Sequence, residues 1–341
     1  MVHRIVPEGE SLQLCRELLA DANRKDARFI LGYVPDNDGD RGNLVYMVDG
    51  RCEVIPAQSL FCLSCTAELA YLAHTGEEME RVALVVNGPT SLRVDRIARR
   101  FGATVFRTEV GEANVVERAA ELRREGWIVR ILGEGSNGGT IIHPGRIRDP
   151  LNTMLSILKL LYLGPTECSA SPMEIWKQFS GKEFEPTLPG LLGSLPAFTT
   201  TSAYENRAIM RIRSTNPLLL IQVYSELFSK EWIQYRDYLQ QDLAVSEYQF
   251  VHTVGTREHY QHTAEFDGTA AGGFKVVFRD QHAEPKGFIW MRASGTEPVF
   301  RILADAEGSR EDIEATLLQW HRSLIQRADT YLHSSSLSTH Q

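Results

Sequence analysis

Short apolar runs alternate with amphipathic stretches between residues 57 and 163, and this alternation predicts a doubly wound α/β domain. Val82–Val86 is a continuous apolar run of the kind a strand buried on both faces requires. Val94, Ile97, Ala98 and Phe101 then recur at helical spacing, giving one apolar face, and Gly102 follows as a stop signal. Ala103–Phe106 predicts a second strand. Glu112–Glu125 predicts a helix with Val116, Ala119 and Ala120 turned inward, ending at Gly126, and Trp127–Leu132 predicts a third strand. A helix over Gln58–His74 precedes these elements, and Leu151, Met154, Leu155 and Leu158 mark the apolar face of another that follows them.

Upstream, a helix at Ser11–Asn23 and a strand at Ala27–Val34 make residues 1–45 the expected end of an earlier α/β unit, so the central domain is expected over 46–165. Pro165, Pro172, Pro186, Pro189 and Pro196 punctuate the next stretch, ahead of an apolar helix near Leu218–Leu239. Residues 166–240 are therefore expected to be a linker and insertion. Strands at Gly273–Arg279, Gly287–Arg292 and Val299–Ala304 are followed by a helix from Ser309, which would cap it ahead of Glu311 and Asp312. Residues 241–335 thus read as a smaller domain, with 336–341 as a polar tail. The fold class is α/β, with a doubly wound sheet, mixed or parallel, followed by a smaller α+β C-terminal domain.

Composition narrows the function. The 36 basic and 44 acidic residues give a net charge of −8 without a long basic tract, so no electrostatic footprint for nucleic acid is present and small-molecule chemistry is favoured. Met1–Glu8 contains no apolar stretch of signal-peptide length. Leu151–Leu163 and Leu218–Phe228 are too short and interrupted to span a bilayer, so a cytoplasmic location without a membrane partner is expected. The five cysteines are an odd number and predict reduced thiols. Cys62 and Cys65 lie in a helix without a second ligand pair, so they read as core residues.

Three loops carry candidate chemistry. In Asp36-Asn-Asp38-Gly-Asp40-Arg41, carboxylates on alternating residues can converge on a hard divalent cation. An EF-hand is excluded by Arg41 at the glycine position and Met47 at the bidentate glutamate position; a solvated acidic turn is the plain alternative. Gly133-Glu134-Gly-Ser136-Asn-Gly-Gly139 follows a strand, where doubly wound sheets bind ligands, and offers an acceptor and a hydroxyl to sugar hydroxyls; a simple turn is the alternative. Arg292-Ala-Ser294-Gly295-Thr296-Glu-Pro298, with Arg301, sets two guanidinium groups, two hydroxyls and turn N–H groups where a phosphate could be gripped. No Lys-Ser or Lys-Thr follows the glycine, which disfavours a nucleotide P-loop. A structural turn with surface arginines is the other reading.

In this order the loops resemble those of the α-D-phosphohexomutases, the phosphoglucomutase and phosphomannomutase superfamily. Asp36, Asp38, Asp40 and Arg41 match its D-x-D-x-D-R magnesium loop, Glu134 and Ser136 its G-E-x-S sugar loop, and Arg292–Pro298 its R-x-S-G-T-E-P phosphate loop. Asn87–Ser91 and Thr108–Gly111 also look like family sequence. The resemblance implies the end of the second of four family domains, all of the third, and the fourth. It implies Mg²⁺ as cofactor, hexose phosphates and hexose 1,6-bisphosphate as ligands, and glucose or mannose phosphates as substrates. The family's phosphoserine loop, T-x-S-H-N-P, has no counterpart in these residues, so the sequence reads as an incomplete mutase, either split with a separate chain that carries the earlier domains or truncated, and inactivity of this chain alone is an expectation. Arg41, His143 and Arg148 are the basic candidates for catalysis; the family histidine after the G-E-x-S serine is not matched, since Asn137 and Gly138 stand there. A non-catalytic sugar-phosphate binding protein derived from a mutase is the alternative.

Overall fold

The computed structural model of the chain describes residues 10–36, 39–136, 139–261, 272–294 and 299–338. It divides into one unit of residues 1–106 and 111–196 and another of residues 107–110 and 197–341.

The first unit opens with α1 (Glu10–Lys25), packed on an antiparallel sheet of β1 (Leu31–Pro35), β2 (Gly42–Val48) and β3 (Arg51–Val54). Leu12 and Leu19 of α1 close over Val45 and Cys52. The end of an α/β unit expected over 1–45 is therefore an antiparallel layer, and β2 runs across the expected boundary. The reason lies in the turn. Pro35 pairs with Gly42, and the Asp36 N–H donates to the Arg41 carbonyl at 2.8 Å, so β1 pairs antiparallel with the next strand, β2, instead of leaving as a parallel strand.

The doubly wound pattern follows, through α2 (Ala57–His74), β4 (Ala83–Asn87), α3 (Arg93–Arg100), β5 (Thr104–Thr108), α4 (Glu112–Arg124), β6 (Ile131–Glu134), β7 (Gly139–Ile142) and α5 (Pro150–Tyr162). The sheet order is β5-β4-β6-β7; β4 and β6 are parallel, and the short β7 returns antiparallel to β6. Helix α2 is apolar on nearly every side because α3, α5 and α6 (Pro172–Ser180) surround it. Cys62 and Cys65 are fully buried in it as thiols outside any disulfide.

Two helices turn a different face inward than their apolar spacing predicts. Helix α4 buries Val115, Arg118, Ala119 and Leu122, leaving Ala120 exposed. Helix α5 buries Thr153, Ser156, Ile157 and Leu160, while Leu151 and Leu155 are 50% and 55% exposed. Small side chains at 153 and 156 let α5 sit close against α2 and β7, which large ones would prevent.

The stretch expected to be linker and insertion is ordered and divides between the units. Pro172 opens α6 behind a Ser171–Glu174 capping box, and Pro189 lies in the first turn of α7 (Leu188–Ser194), where a missing N–H has no partner to lose. These prolines start helices. Trp176 of α6 stacks on Phe101 at 5.9 Å and donates its indole N–H to Ser194 Oγ at 2.7 Å, which fixes both helices to the core.

The second unit is a purely antiparallel sheet covered by two long helices. Its elements are β8 (Phe198–Thr200), β9 (Ile209–Arg211), α8 (Pro217–Leu243), β10 (Val245–Val254), β11 (Arg257–Gln261), β12 (Gly273–Asp280), β13 (Pro285–Ala293), β14 (Val299–Glu307) and α9 (Glu311–Ser338). The strand order is β11-β10-β12-β13-β14-β8, with β9 also paired to β14. Phe228, Phe250, Phe274, Phe278, Phe300 and Trp320 form the aromatic centre of its core. Helix α9 begins at Glu311 rather than Ser309, and reaches Ser338, into the expected tail. Among the described residues no helix is long and apolar enough to cross a membrane.

His321 of α9 is wholly buried between Tyr224 and β13. Its Nδ1 lies 2.7 Å from the Tyr224 hydroxyl and its Nε2 3.2 Å from the Trp290 carbonyl, the pattern of a neutral ring that accepts from tyrosine and donates to the backbone. Burial pushes its pKa down to about 3, against the upward pull of the Trp290 carbonyl. A lowered folded pKa means that the unfolded chain takes up a proton that the folded one refuses. The stabilisation is therefore complete above the ordinary histidine value and erodes as pH falls toward 3. About 2 kcal/mol should be lost from this unit by pH 5 through His321 alone. Urea unfolding of the wild type and of His321→Gln between pH 7 and pH 5 checks this, the variant showing the shallower pH slope.

Candidate functional site

Because β4 and β6 are parallel neighbours, Asn87 and Glu134 end their strands at the same edge of the sheet. Glu134 is only 3% exposed. Its Oε1 accepts from the Asn87 amide at 3.2 Å and from the Gly111 N–H at 2.8 Å, at the start of α4. The same Asn87 amide reaches Ser136 Oγ at 3.2 Å, and the Thr90 hydroxyl donates to Asn87 Oδ1 at 2.6 Å, which sets the amide's orientation. The Gly135 N–H donates to Thr90 Oγ1 at 3.0 Å. Glu134 and Ser136 thus stand in one interlocked cluster. Gly133 is required beside them, since its φ is +155° and a Cβ would lie 2.1 Å from the Gly139 carbonyl oxygen.

Arg148 ties this cluster to the hairpin loop. Its guanidinium pairs with Asp40 Oδ2, stands 3.1 Å from Glu112 Oε2 and lies 3.6 Å from Glu134 Oε2; its own N–H donates to Glu112 Oε1 at 3.2 Å. Within the hairpin loop, Arg41 Nε lies 3.4 Å from Asp36 Oδ2 and 3.2 Å from Asp40 Oδ1, and the Arg41 N–H donates to Asp36 Oδ1 at 3.1 Å. Burial, then the charges of Asp149 and Asp36, raise the pKa of the neighbouring Tyr33 phenol. Asp38 lies outside the described residues. Among the described residues no group of three or more His, Cys, Asp or Glu is gathered as a metal cage.

His143 does not join this cluster. Ile131 pairs with Ile142 and Glu134 with Gly139, so His143 follows the opposite end of the β6–β7 hairpin, roughly 10 Å along the strand from Glu134. Partial burial, followed by Arg123, Arg130 and Arg146, lowers its pKa. Its neighbours are cations, not the carboxylates of the site.

In the second unit, Arg292 and Arg301 are directly opposed across β13 and β14, on one face of the sheet and about 5 Å apart at their Cβ atoms. Opposed like charges are unfavourable unless an anion lies between or beside them. Glu109 supplies one, its Oε1 lying 3.8 Å from Arg292 Nε. Glu109 is itself pinned to the β10–β11 turn, accepting from the Gly255 N–H at 3.0 Å and donating its own N–H to the Gly255 carbonyl at 2.8 Å. The Ser294 N–H donates to the Val299 carbonyl at 2.8 Å, closing the base of the loop. Gly295 and Thr296 lie outside the described residues.

Residues 65–179 match the family model of the phosphoglucomutase/phosphomannomutase α/β/α domain III. This segment is similar to the third domain of the phosphoglucomutase/phosphomannomutase family. Glu112, Glu134, Ser136 and Arg148 all fall within it. No curated protein matches the chain in sequence. Among solved structures, the chain is similar to Paramecium parafusin, a phosphoglucomutase in its open form, at 16% identity and a TM-score of 0.50 over 94% of this chain and 48% of that one. A phosphoglucomutase/phosphomannomutase family protein of Burkholderia thailandensis aligns at 17% identity and a TM-score of 0.49 over 96% of this chain and 52% of that one. The chain therefore spans about half the length of these structures.

Asn87, Glu109 and Glu112 were not among the residues expected to form a site. Asn87 and Glu109 fall in stretches that look like family sequence, but only their strand-end positions reveal contact with Glu134 and Arg292. Glu112 gives no such signal, because a glutamate in the first turn of a helix reads as a complement to the helix dipole.

Proposed function

We propose that this chain is the sugar-phosphate-handling part of a phosphohexomutase, which interconverts hexose 1-phosphate and hexose 6-phosphate, and that it works with a phosphoserine-bearing domain of the family type. The observation that carries the reading is the buried Glu134 carboxylate. It is oriented by Asn87 and Gly111 at the ligand-binding edge of a domain of the phosphohexomutase type, beside the hydroxyl of Ser136. A fixed acceptor next to a hydroxyl is suited to neighbouring sugar hydroxyls. Arg292, Arg301 and Ser294, with Gly295 and Thr296 of the same motif, would hold the non-reacting phosphate. The carboxylates of Asp36 and Asp40 already face one positive centre at Arg41, and such hard oxygen donors fit Mg²⁺. Asp36, Asp38 and Asp40 would hold the ion, which when bound supplies positive charge against the transferring phosphate. The protein side contributes positioning and charge neutralisation, the main requirements of phosphoryl transfer.

Arg292→Ala should weaken binding of glucose 6-phosphate roughly ten- to a hundred-fold while leaving any binding of free glucose unchanged, since a charge-assisted pair is worth about 1.5–3 kcal/mol. Calorimetric titration of wild type and variant with both sugars checks this. Equal losses for the two would show that the loop only shapes the fold.

A further inference from the structure

We propose that Arg148 is the resident cation of the Asp40–Glu112–Glu134 cluster and exchanges with a divalent cation at Asp40, so that metal loading of the hairpin loop releases its guanidinium for an anionic group of the ligand. The inference rests on the metal and sugar-phosphate reading of the two loops, and it gives Arg148 a positioning role.

Asp40 is shared between two guanidinium groups, those of Arg41 and Arg148. A divalent cation on the same carboxylate would meet both, and one must withdraw because like charges at contact distance repel strongly in a partly buried site. The two differ in what else holds them. Arg41 belongs to the hairpin loop itself and has Asp36 at 3.4 Å, with its N–H also on Asp36. Arg148 comes from a separate segment, after β7, and has two partners outside the loop, Glu112 at 3.1 Å and Glu134 at 3.6 Å. Its main chain is fixed to Glu112 as well, so the side chain can leave Asp40 while its base stays in place.

At 18% exposure the guanidinium has little water to replace a lost partner, and a new anion nearby is the favourable one. Glu134 stands at the sugar-binding edge, so an anionic substituent of a ligand bound there comes within reach of the released group. The latch thereby links two loops that are far apart in sequence through one side chain that neither loop contains. An arginine suits this because its planar fork presents five donors in fixed directions, so it can keep some carboxylates while it leaves another.

The test is Mg²⁺ titration by calorimetry of the 341-residue chain and of Arg148→Gln, with circular dichroism to establish that the variant is folded. Removing the competing cation should tighten Mg²⁺ binding about ten-fold, the scale of one charge-assisted pair. In the wild type, the Arg148 Nε–Hε resonance, assigned by its absence from Arg148→Lys, should shift during the Mg²⁺ titration and saturate with the same dissociation constant. This second measurement carries the test if Arg148→Gln does not fold. Unchanged or weaker Mg²⁺ affinity in a folded Arg148→Gln, or an Arg148 signal that stays in place as metal saturates, overturns the exchange. Those results would leave the metal loop standing. Failure of both wild type and variant to bind Mg²⁺ would remove the metal reading and the latch with it.

Discussion

Glu68→Ala should destabilise the first unit by about 3 kcal/mol and lower its melting temperature by roughly 6–12 °C. Glu68 lies in the middle of α2 at 1% exposure, in a helix whose buried side chains are mostly apolar. Two cations reach it, Lys159 Nζ of α5 at 2.6 Å and Arg130 Nε at 2.9 Å, and both also lie over the Tyr71 ring, at 4.0 and 5.5 Å. Burial lowers the pKa of Lys159 even with Glu68 beside it. Without the carboxylate, two positive groups would face each other across a cavity. A buried pair broken on one side usually costs about 3–5 kcal/mol, and the lower end applies because both cations are part-exposed and can turn toward water. Thermal unfolding followed by circular dichroism gives the measurement. Glu68→Gln, which keeps the shape but not the charge, should lose about half as much. A loss below about 1 kcal/mol for Glu68→Ala would mean that the cations are solvated without their partner and that α5 is held to α2 by apolar packing alone.

The same triad shows why some of the architecture could be read from sequence and some could not. The alternation of Val82–Val86, the Val94–Phe101 face and the following strands is a local pattern, and these elements form close to where their period places them, except the third strand, which runs Ile131–Glu134 instead of Trp127–Leu132. The inward face of α5 is not local. It is decided by the demand of Glu68 for Lys159 and by the small residues that permit close approach to α2, so Leu151 and Leu155 point outward despite their spacing. Likewise, an acidic loop after an apolar run looks the same at the end of a parallel strand and inside a hairpin; only the pairing of Pro35 with Gly42 tells them apart. The proline-rich stretch misleads for a related reason, because proline marks a helix start as readily as a linker. At the site, Glu134 and Ser136 were legible as a strand-end motif, and Asp36, Asp40 and Arg41 as an acidic loop. The ion pairs of Arg148 with Asp40 and Glu134 were not, since they join residues more than a dozen positions apart through a side chain with no motif of its own.

The chain of residues 1–341 should show no conversion of glucose 1-phosphate or mannose 1-phosphate to the 6-phosphate, even with Mg²⁺ and glucose 1,6-bisphosphate supplied. Transfer through an enzyme-bound phosphate needs a nucleophile that can be phosphorylated and then aimed at either end of the sugar. The candidate groups in the described loops serve other tasks. Ser136 Oγ takes part in the Asn87 cluster, and Ser294 belongs to the loop proposed to hold the non-reacting phosphate. Glu134, Arg292 and the acidic loop can bind and orient but cannot carry the phosphoryl group between half-reactions. Adding a phosphohexomutase domain with a phosphorylated T-x-S-H-N-P loop, in trans or as a fusion, should raise turnover by at least 10³-fold over background, the order expected when a positioned nucleophile joins an existing binding site. The rise should vanish in Glu134→Ala and Arg292→Ala, which would show that the added domain depends on this chain for sugar and phosphate recognition. Turnover by the chain alone would direct attention to Ser136 and Ser294 as nucleophiles, each testable by substitution with alanine. Sugar-phosphate binding that persists without turnover after the serine-bearing domain is added would instead identify a binding protein that kept the recognition loops of a mutase and lost its chemistry.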